Sequence, residues 1–126
     1  MCQFTDRFYS AVRTLAGNGR VKKRLLAAYL ENLDSLADSD VPEAIREDFA
    51  QLRKAMNSAK PIGKEPAPAA AVRKMSPREA SRYSTSIVAM FSELVRAKST
   101  GERPQVVKRA EGKDAEAAVP TNVALN

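Results

Sequence analysis

Apolar residues recur at spacings of three and four along four stretches of the chain, which is the pattern of amphipathic helices. The four predicted helices span approximately residues 5–16, 20–37, 42–57 and 77–98. Short breaks separate the first three, so the pattern predicts an all-α fold, a small antiparallel bundle of about four helices within residues 1–101. The fourth helix has the clearest apolar face: Ala80, Tyr83, Ile87, Met90, Phe91, Leu94 and Val95.

The strongest local signal is the start of that fourth helix. Ser76 and Glu79 have the spacing of a capping box, in which each side chain accepts a hydrogen bond from the other residue's backbone N–H. Pro77 falls at the first helical position, where its missing N–H costs nothing. Met75 and Ala80 take the positions of a hydrophobic staple. The sequence therefore predicts a helix that begins at residue 77.

The segments between the helices differ in character. Gly17-Asn18-Gly19 predicts a sharp break after the first helix. Residues 60–71 contain three prolines and a run of alanines, which predicts an extended or loose connector. Residues 72–75 are expected to continue it in an extended conformation up to the capping box.

The last segment, residues 102–126, is rich in Ala, Lys and Glu and lacks aromatic residues. This composition predicts a disordered tail. Two apolar islands interrupt it, at 106–107 and 119–125. They are either short docking motifs or part of a spacer, and the sequence leaves both interpretations open.

Length and composition restrict the class of protein. A chain of 126 residues suggests one domain, and the aromatic content of 6% means that aliphatic side chains build most of the core. The single cysteine, Cys2, cannot form a disulfide within a monomer, which fits a reducing compartment. The N-terminus has no signal-peptide pattern, and no apolar run approaches a membrane span. We therefore expect a cytoplasmic protein with no membrane partner.

Charge is distributed unevenly along the chain. Residues 102–126 carry four acids and four bases, so the whole net charge of +6 belongs to residues 1–101. In an antiparallel bundle, the second and fourth helices would begin at the same end of the molecule. Both starts are basic, and cations at a helix N-terminus oppose the helix dipole. The candidate anion- or partner-binding residues are Arg20, Lys22, Lys23, Arg24, Arg73, Lys74, Arg78 and Arg82.

Two interpretations of these cations remain open. Helix N-terminal amides and basic side chains together suit phosphate or carboxylate groups, so the basic end could bind an anionic partner. Alternatively, the same side chains pair with acids elsewhere in the fold or are solvated at the surface.

The sequence lacks the residues that most catalytic sites need. Histidine is absent, which removes histidine-based triads, most zinc sites and the usual general base at neutral pH. No phosphate-binding loop, dinucleotide fingerprint or calcium loop is present. We therefore predict that the protein is not an enzyme and has no catalytic residue, cofactor site or metal site.

Three short segments resemble a family of short bacterial helical proteins that has no established activity. The segments are Val21-Lys22-Lys23-Arg24-Leu25, Val72-Arg73-Lys74-Met75-Ser76 and Ile87-Val88-Ala89-Met90-Phe91. The resemblance extends over residues 4–96 and implies no site or substrate.

The function predicted from these features is that of a non-enzymatic interaction or regulatory protein. Its partner is expected to be another protein, bound through the basic end, a groove or the tail. The alternative is a nucleic-acid-binding regulator that uses the same cations. Against it, the cations are poorly interleaved with aromatic residues, because Tyr83 falls on the core face of its helix. The wide apolar stripe of the second helix also leaves a homo-oligomer open.

Overall fold

The computed structural model describes residues 3–100, which form an all-helical fold. The predicted disordered tail 102–126 lies outside the described residues, as do Met1, Cys2 and Gly101. The five α-helices are α1 (Gln3–Leu15), α2 (Val21–Ala28), α3 (Glu43–Met56), α4 (Ala67–Lys74) and α5 (Pro77–Thr100). A π-helical segment, Tyr29–Leu33, continues α2, and a 3-10 turn, Asp38–Asp40, precedes α3.

The core lies where α5 packs against α1, α2 and α3. The fully buried rings of Phe8 in α1 and Phe49 in α3 meet with their centroids 5.9 Å apart. The apolar stripes predicted for the helices supply most of the other buried side chains, such as Leu25, Ile45 and Ile87. Burial of these aliphatic and aromatic groups is the main favourable term in folding.

The break between the first two helices is confirmed. α1 ends at Leu15 and α2 begins at Val21. Gly19 has a φ of 102°, a conformation that residues with a Cβ rarely adopt. The glycine therefore accommodates the turn within the five residues between the helices.

The second predicted helix is shorter than expected, because helical structure ends at Leu33 and not at residue 37. The Asp34 N–H donates to the Tyr29 carbonyl at 2.9 Å, which widens the last turn into a π-helix. Beyond it, the Asp40 carboxylate accepts a hydrogen bond from the Ala37 N–H at 2.8 Å. Short acidic side chains of this kind compete with the helix for backbone hydrogen bonds.

The prediction of an extended connector is wrong from residue 67 onward, because Ala67–Lys74 form the helix α4. Pro66 occupies the N-cap and Pro68 lies in the first turn, where a proline needs no backbone donor. Alanine has the highest helix propensity, and the buried Ala70, Ala71 and Val72 anchor the new helix. Only residues 60–66 remain a connector without helical structure.

A buried polar group lies beside the π-helix. The Tyr29 side chain is fully buried, and its hydroxyl lies near Arg53 and Asn57 but forms no hydrogen bond of standard geometry with a described residue. Burial, and then the Asp34 carboxylate, raise the pKa of Tyr29 above 10.0, while the neighbouring Arg53 and Asn57 act in the opposite direction. The folded protein therefore favours the neutral phenol.

Replacing Tyr29 by phenylalanine is expected to leave the free energy of unfolding at pH 7 nearly unchanged, because the hydroxyl that is removed forms no hydrogen bond of standard geometry. Above pH 10.0 the unfolded tyrosine ionises while the folded one stays neutral, so the wild type loses stability as pH rises through the folded pKa. The Tyr29→Phe variant should lose less stability over the same rise in pH. Urea unfolding of both proteins at pH 7 and above pH 10 measures this. A loss of more than about 1.5 kcal/mol at pH 7 would contradict the prediction.

Candidate partner-binding site

The starts of the second and fourth predicted helices meet through one hydrogen bond. The Lys22 ammonium in the first turn of α2 donates to the backbone carbonyl of Arg73 at 3.2 Å. Arg73 lies in the last turn of α4, immediately before the start of α5. α2 also packs against both α4 and α5. Two basic segments that are 51 residues apart in sequence therefore lie side by side.

The capping box that opens α5 is confirmed. The Ser76 N–H donates to the Glu79 carboxylate at 3.0 Å, and the Glu79 N–H donates to the Ser76 hydroxyl at 3.1 Å. Met75 is nearly buried and Ala80 fully buried, as the staple positions predict. The cap fixes the first turn of α5 and leaves Arg78 exposed.

Arg24 serves the fold of the chain itself. Its Nε donates to the Gly19 carbonyl at 2.8 Å, and its terminal nitrogen donates to the Leu15 carbonyl at 2.5 Å. Leu15 is the last residue of α1, where backbone carbonyls lack partners within the helix. Arg24 is thus the candidate cation whose hydrogen bonds stabilise the turn between α1 and α2.

Arg73 is paired within the chain. Its guanidinium contacts the Glu65 carboxylate at 2.7 Å, and the same carboxylate accepts a hydrogen bond from the Ile62 N–H at 2.8 Å. The Arg73 hydrogen bond, followed by the Ile62 N–H, lowers the pKa of Glu65. This contact ties residues 62–65 of the connector to α4.

The other candidate cations differ in whether their side chains have a partner within the fold. The Arg82 guanidinium lies 5.8 Å from the ring centroid of the adjacent residue, Tyr83. Four of the eight candidates are exposed, and their side chains form no hydrogen bond or salt bridge with another described residue: Arg20, Lys23, Lys74 and Arg78. These four can reach an external anion without breaking an internal contact.

A groove of about 320 Å³ lies between the end of α3, α4 and the start of α5. Exposed Lys60 and Lys74, half-buried Tyr83 and the thioether of Met75 line it. The rest of its lining consists of Ala55, Ser58, Ala59, Ala71 and Glu79. The exposed surface of this lining is more polar than apolar and carries two ammonium groups and one carboxylate, so it suits a short polar segment that carries a carboxylate beside a small apolar side chain.

Sequence reasoning did not find this groove, because one of its walls is α4, which was predicted as extended connector. The available signal was Pro66-Ala67-Pro68 followed by alanines, since proline is favoured in the first turn of a helix. Lys60 was missed for the same reason, because no predicted helix placed it beside Lys74.

The α2 N-terminus adds to this region backbone N–H groups that have no side-chain cap from Arg20. Arg20 occupies its N-cap and provides no side-chain hydrogen bond, and the first turn contains no acidic residue. Helix N-terminal N–H groups carry a partial positive charge and favour anions. Basic side chains and backbone N–H groups therefore both favour an anion at this end of α2.

Within residues 3–100, no three histidine, cysteine, aspartate or glutamate side chains converge as a metal site would require. None of the helices in the same range combines the length and apolar character that crossing a bilayer requires.

Comparison with known proteins gives no relative from which a role can be transferred. No protein-family model, curated protein or solved structure matches this chain.

Proposed function

We propose that this protein is a non-enzymatic interaction module that binds an acidic segment of a partner protein at its basic end. The basic end comprises Arg20, Lys23, Lys74 and Arg78 together with the adjacent groove. The observation that carries the proposal is the 3.2 Å hydrogen bond from Lys22 to the Arg73 carbonyl, because it brings the two basic segments together. The four unpaired cations and the uncapped start of α2 support it.

The groove supports a protein partner over a nucleic acid. Three alanines and Met75 make part of its otherwise polar lining apolar, which offers a contact for one aliphatic side chain, and Lys74 offers a charge for a neighbouring carboxylate. Binding of single-stranded nucleic acid usually relies on exposed aromatic rings that stack on the bases. Tyr83 is half-buried and already lies beside Arg82, so it is poorly suited to stacking.

The proposal extends to the relative directions of the helices and to the compartment in which the protein acts. We infer that the long helices run antiparallel to their neighbours, since only five residues connect α1 to α2. The proposed place of action is the cytoplasm, where a protein partner can reach the basic end. A regulatory role follows if occupancy of the basic end controls the partner's activity.

The test compares two double variants with the same change in charge. Lys23→Gln/Lys74→Gln removes two unpaired cations of the basic end, whereas Lys54→Gln/Lys64→Gln removes two exposed lysines that do not line the groove. Tagged wild type and both variants are used for pull-downs from native-host lysate with nuclease treatment. We expect the wild type and the Lys54/Lys64 variant to retain the same specific proteins and the Lys23/Lys74 variant to lose them.

A pull-down in which all three proteins retain the same set would refute the basic end as the binding site. Loss of all bound material after nuclease treatment would favour nucleic acid instead. A salt titration then separates the two classes of partner, because phosphate contacts release counterions and make the affinity fall steeply with salt.

A further inference from the structure

The middle of α5 carries no charge over ten consecutive residues. From Tyr83 to Ser92 the helix contains no charged residue, although 29% of the chain is charged. Ile87 and Met90 in this run are buried in the core, whereas Val88 is 45% exposed. A helix face that is exposed and uncharged is unusual on the surface of so polar a chain.

The exposed positions of this face follow the spacing of a helix-packing seam. Steps of four and three residues separate Ser81, Thr85, Val88, Ser92 and Val95, all of which are exposed. This alternation is the heptad spacing through which one helix packs along another. The buried face of α5 already packs in the core, so this second seam faces away from the molecule.

α1 adds an exposed aromatic ring to this surface on one side of α5. The Tyr9 ring is 52% exposed, and its centroid lies 5.8 Å from that of Phe91 in α5. Three of the four exposed large hydrophobic side chains in the described part of the chain are Tyr9, Val88 and Val95. We call the surface formed by Tyr9, Phe91 and the seam of α5 the α1/α5 face.

The charges on α1 beside Tyr9 are self-complementary. Asp6 and Arg13 are both exposed and lie about one turn before and after Tyr9, with the Arg13 guanidinium 5.9 Å from the Tyr9 ring centroid. A two-fold axis perpendicular to α1, midway between these residues, would bring Asp6 opposite Arg13 of a second copy. The same axis would bring Arg13 opposite Asp6 of that copy, as an isologous interface requires.

The same axis also fits α5. The midpoint between Asp6 and Arg13 lies next to Tyr9, and the midpoint between Val88 and Val95 lies next to Phe91. Tyr9 and Phe91 are in contact, so both midpoints lie at the same level of the molecule. One axis therefore brings Val88 opposite Val95 of the second copy and pairs the α1 charges at the same time.

We propose that the α1/α5 face binds a second copy of this chain and forms a symmetric dimer. The coincidence of the two midpoints is what favours a second copy over an unrelated partner. The seam residues of α5 themselves carry no charge, so they offer no direct contact to the phosphates of a nucleic acid or of lipid headgroups. The inference is independent of the proposed function, because none of the residues of the basic end belongs to this face.

The first test is sedimentation equilibrium of the full chain over about 1 to 200 μM. We expect the wild type to approach twice the monomer mass of 13.7 kDa as concentration rises. Val88→Lys/Val95→Lys brings cations opposite each other and should raise the dissociation constant by about tenfold or more. The control is Ile62→Lys, since Ile62 is 67% exposed and lies in the connector, and it should dimerise like the wild type.

The second test exchanges the charges on α1. Asp6→Arg and Arg13→Asp each bring like charges together and should weaken the dimer about threefold or more. The double variant Asp6→Arg/Arg13→Asp restores opposite charges across the axis and should recover the wild-type affinity. Both substitutions oppose the dipole of α1, so a role confined to that helix would make the double variant weaker than either single one.

A wild type that stays monomeric over the whole concentration range would overturn the proposal. So would a dimer that Val88→Lys/Val95→Lys leaves unchanged while circular dichroism shows that the variant is folded. A double charge exchange that binds no better than the single variants would exclude the proposed axis.

Discussion

Replacement of Phe49 by alanine is expected to lower the free energy of unfolding by about 3–5 kcal/mol. The Phe49 ring is fully buried and packs against Phe8 with an interplanar angle of 59°. Truncation removes this contact and leaves a cavity between α3 and α1 that the neighbouring helices can fill only in part. A domain of this size is typically stable by only about 5–15 kcal/mol, so the loss is a large fraction of the total.

Urea unfolding followed by far-UV circular dichroism measures the effect. Ile62→Ala is the matched control, because it also shortens a large apolar side chain but at an exposed position, and it should change stability by less than about 0.5 kcal/mol. A Phe49→Ala loss as small as that of the control would show that the ring is not part of the core.

Replacement of Arg24 by methionine is the second large expected effect, with a loss of about 1.5–3 kcal/mol. The guanidinium donates to the Leu15 carbonyl at 2.5 Å and to the Gly19 carbonyl at 2.8 Å. Methionine retains much of the apolar stem of the arginine but donates no hydrogen bond. The two carbonyls then lose a charged donor at the end of α1, where no backbone donor replaces it.

Lys23→Met is the control for this prediction, because Lys23 is the adjacent cation, is exposed, and has no partner within the described residues. We expect Lys23→Met to change the free energy of unfolding by less than about 0.5 kcal/mol and to weaken partner binding at the basic end. Equal stability losses in the two variants would show that the Arg24 hydrogen bonds do not hold the turn. Together the pair separates a structural cation from a binding one within a single turn of helix.

These adjacent cations illustrate the limit of sequence reasoning about the site. Lys22, Lys23 and Arg24 look alike in the sequence, and all were candidates for binding. In the structure Lys22 contacts the Arg73 carbonyl, Arg24 caps α1, and Lys23 has no partner in the described part of the chain. Which of the three is available depends on carbonyls supplied by other segments, and no local pattern records those.

The sequence by itself determined the features that depend on neighbours within a few residues. The capping box at Ser76, the break around Gly19 and the buried stripe through Ile87 all follow from local hydrogen bonding, backbone freedom and helical periodicity. These interactions form within one or two turns, so the order of residue types suffices to predict them.

Tertiary structure decided the features that depend on distant segments. α4 forms because Ala70, Ala71 and Val72 find a buried surface, and with that helix comes the groove beside Lys74. Val95 had been predicted on the apolar core face of its helix but is 41% exposed, because the core reaches only the side of α5 that carries Ile87 and Met90. Periodicity shows that a side chain lies on an apolar face, but only the packing of other helices determines whether anything covers it.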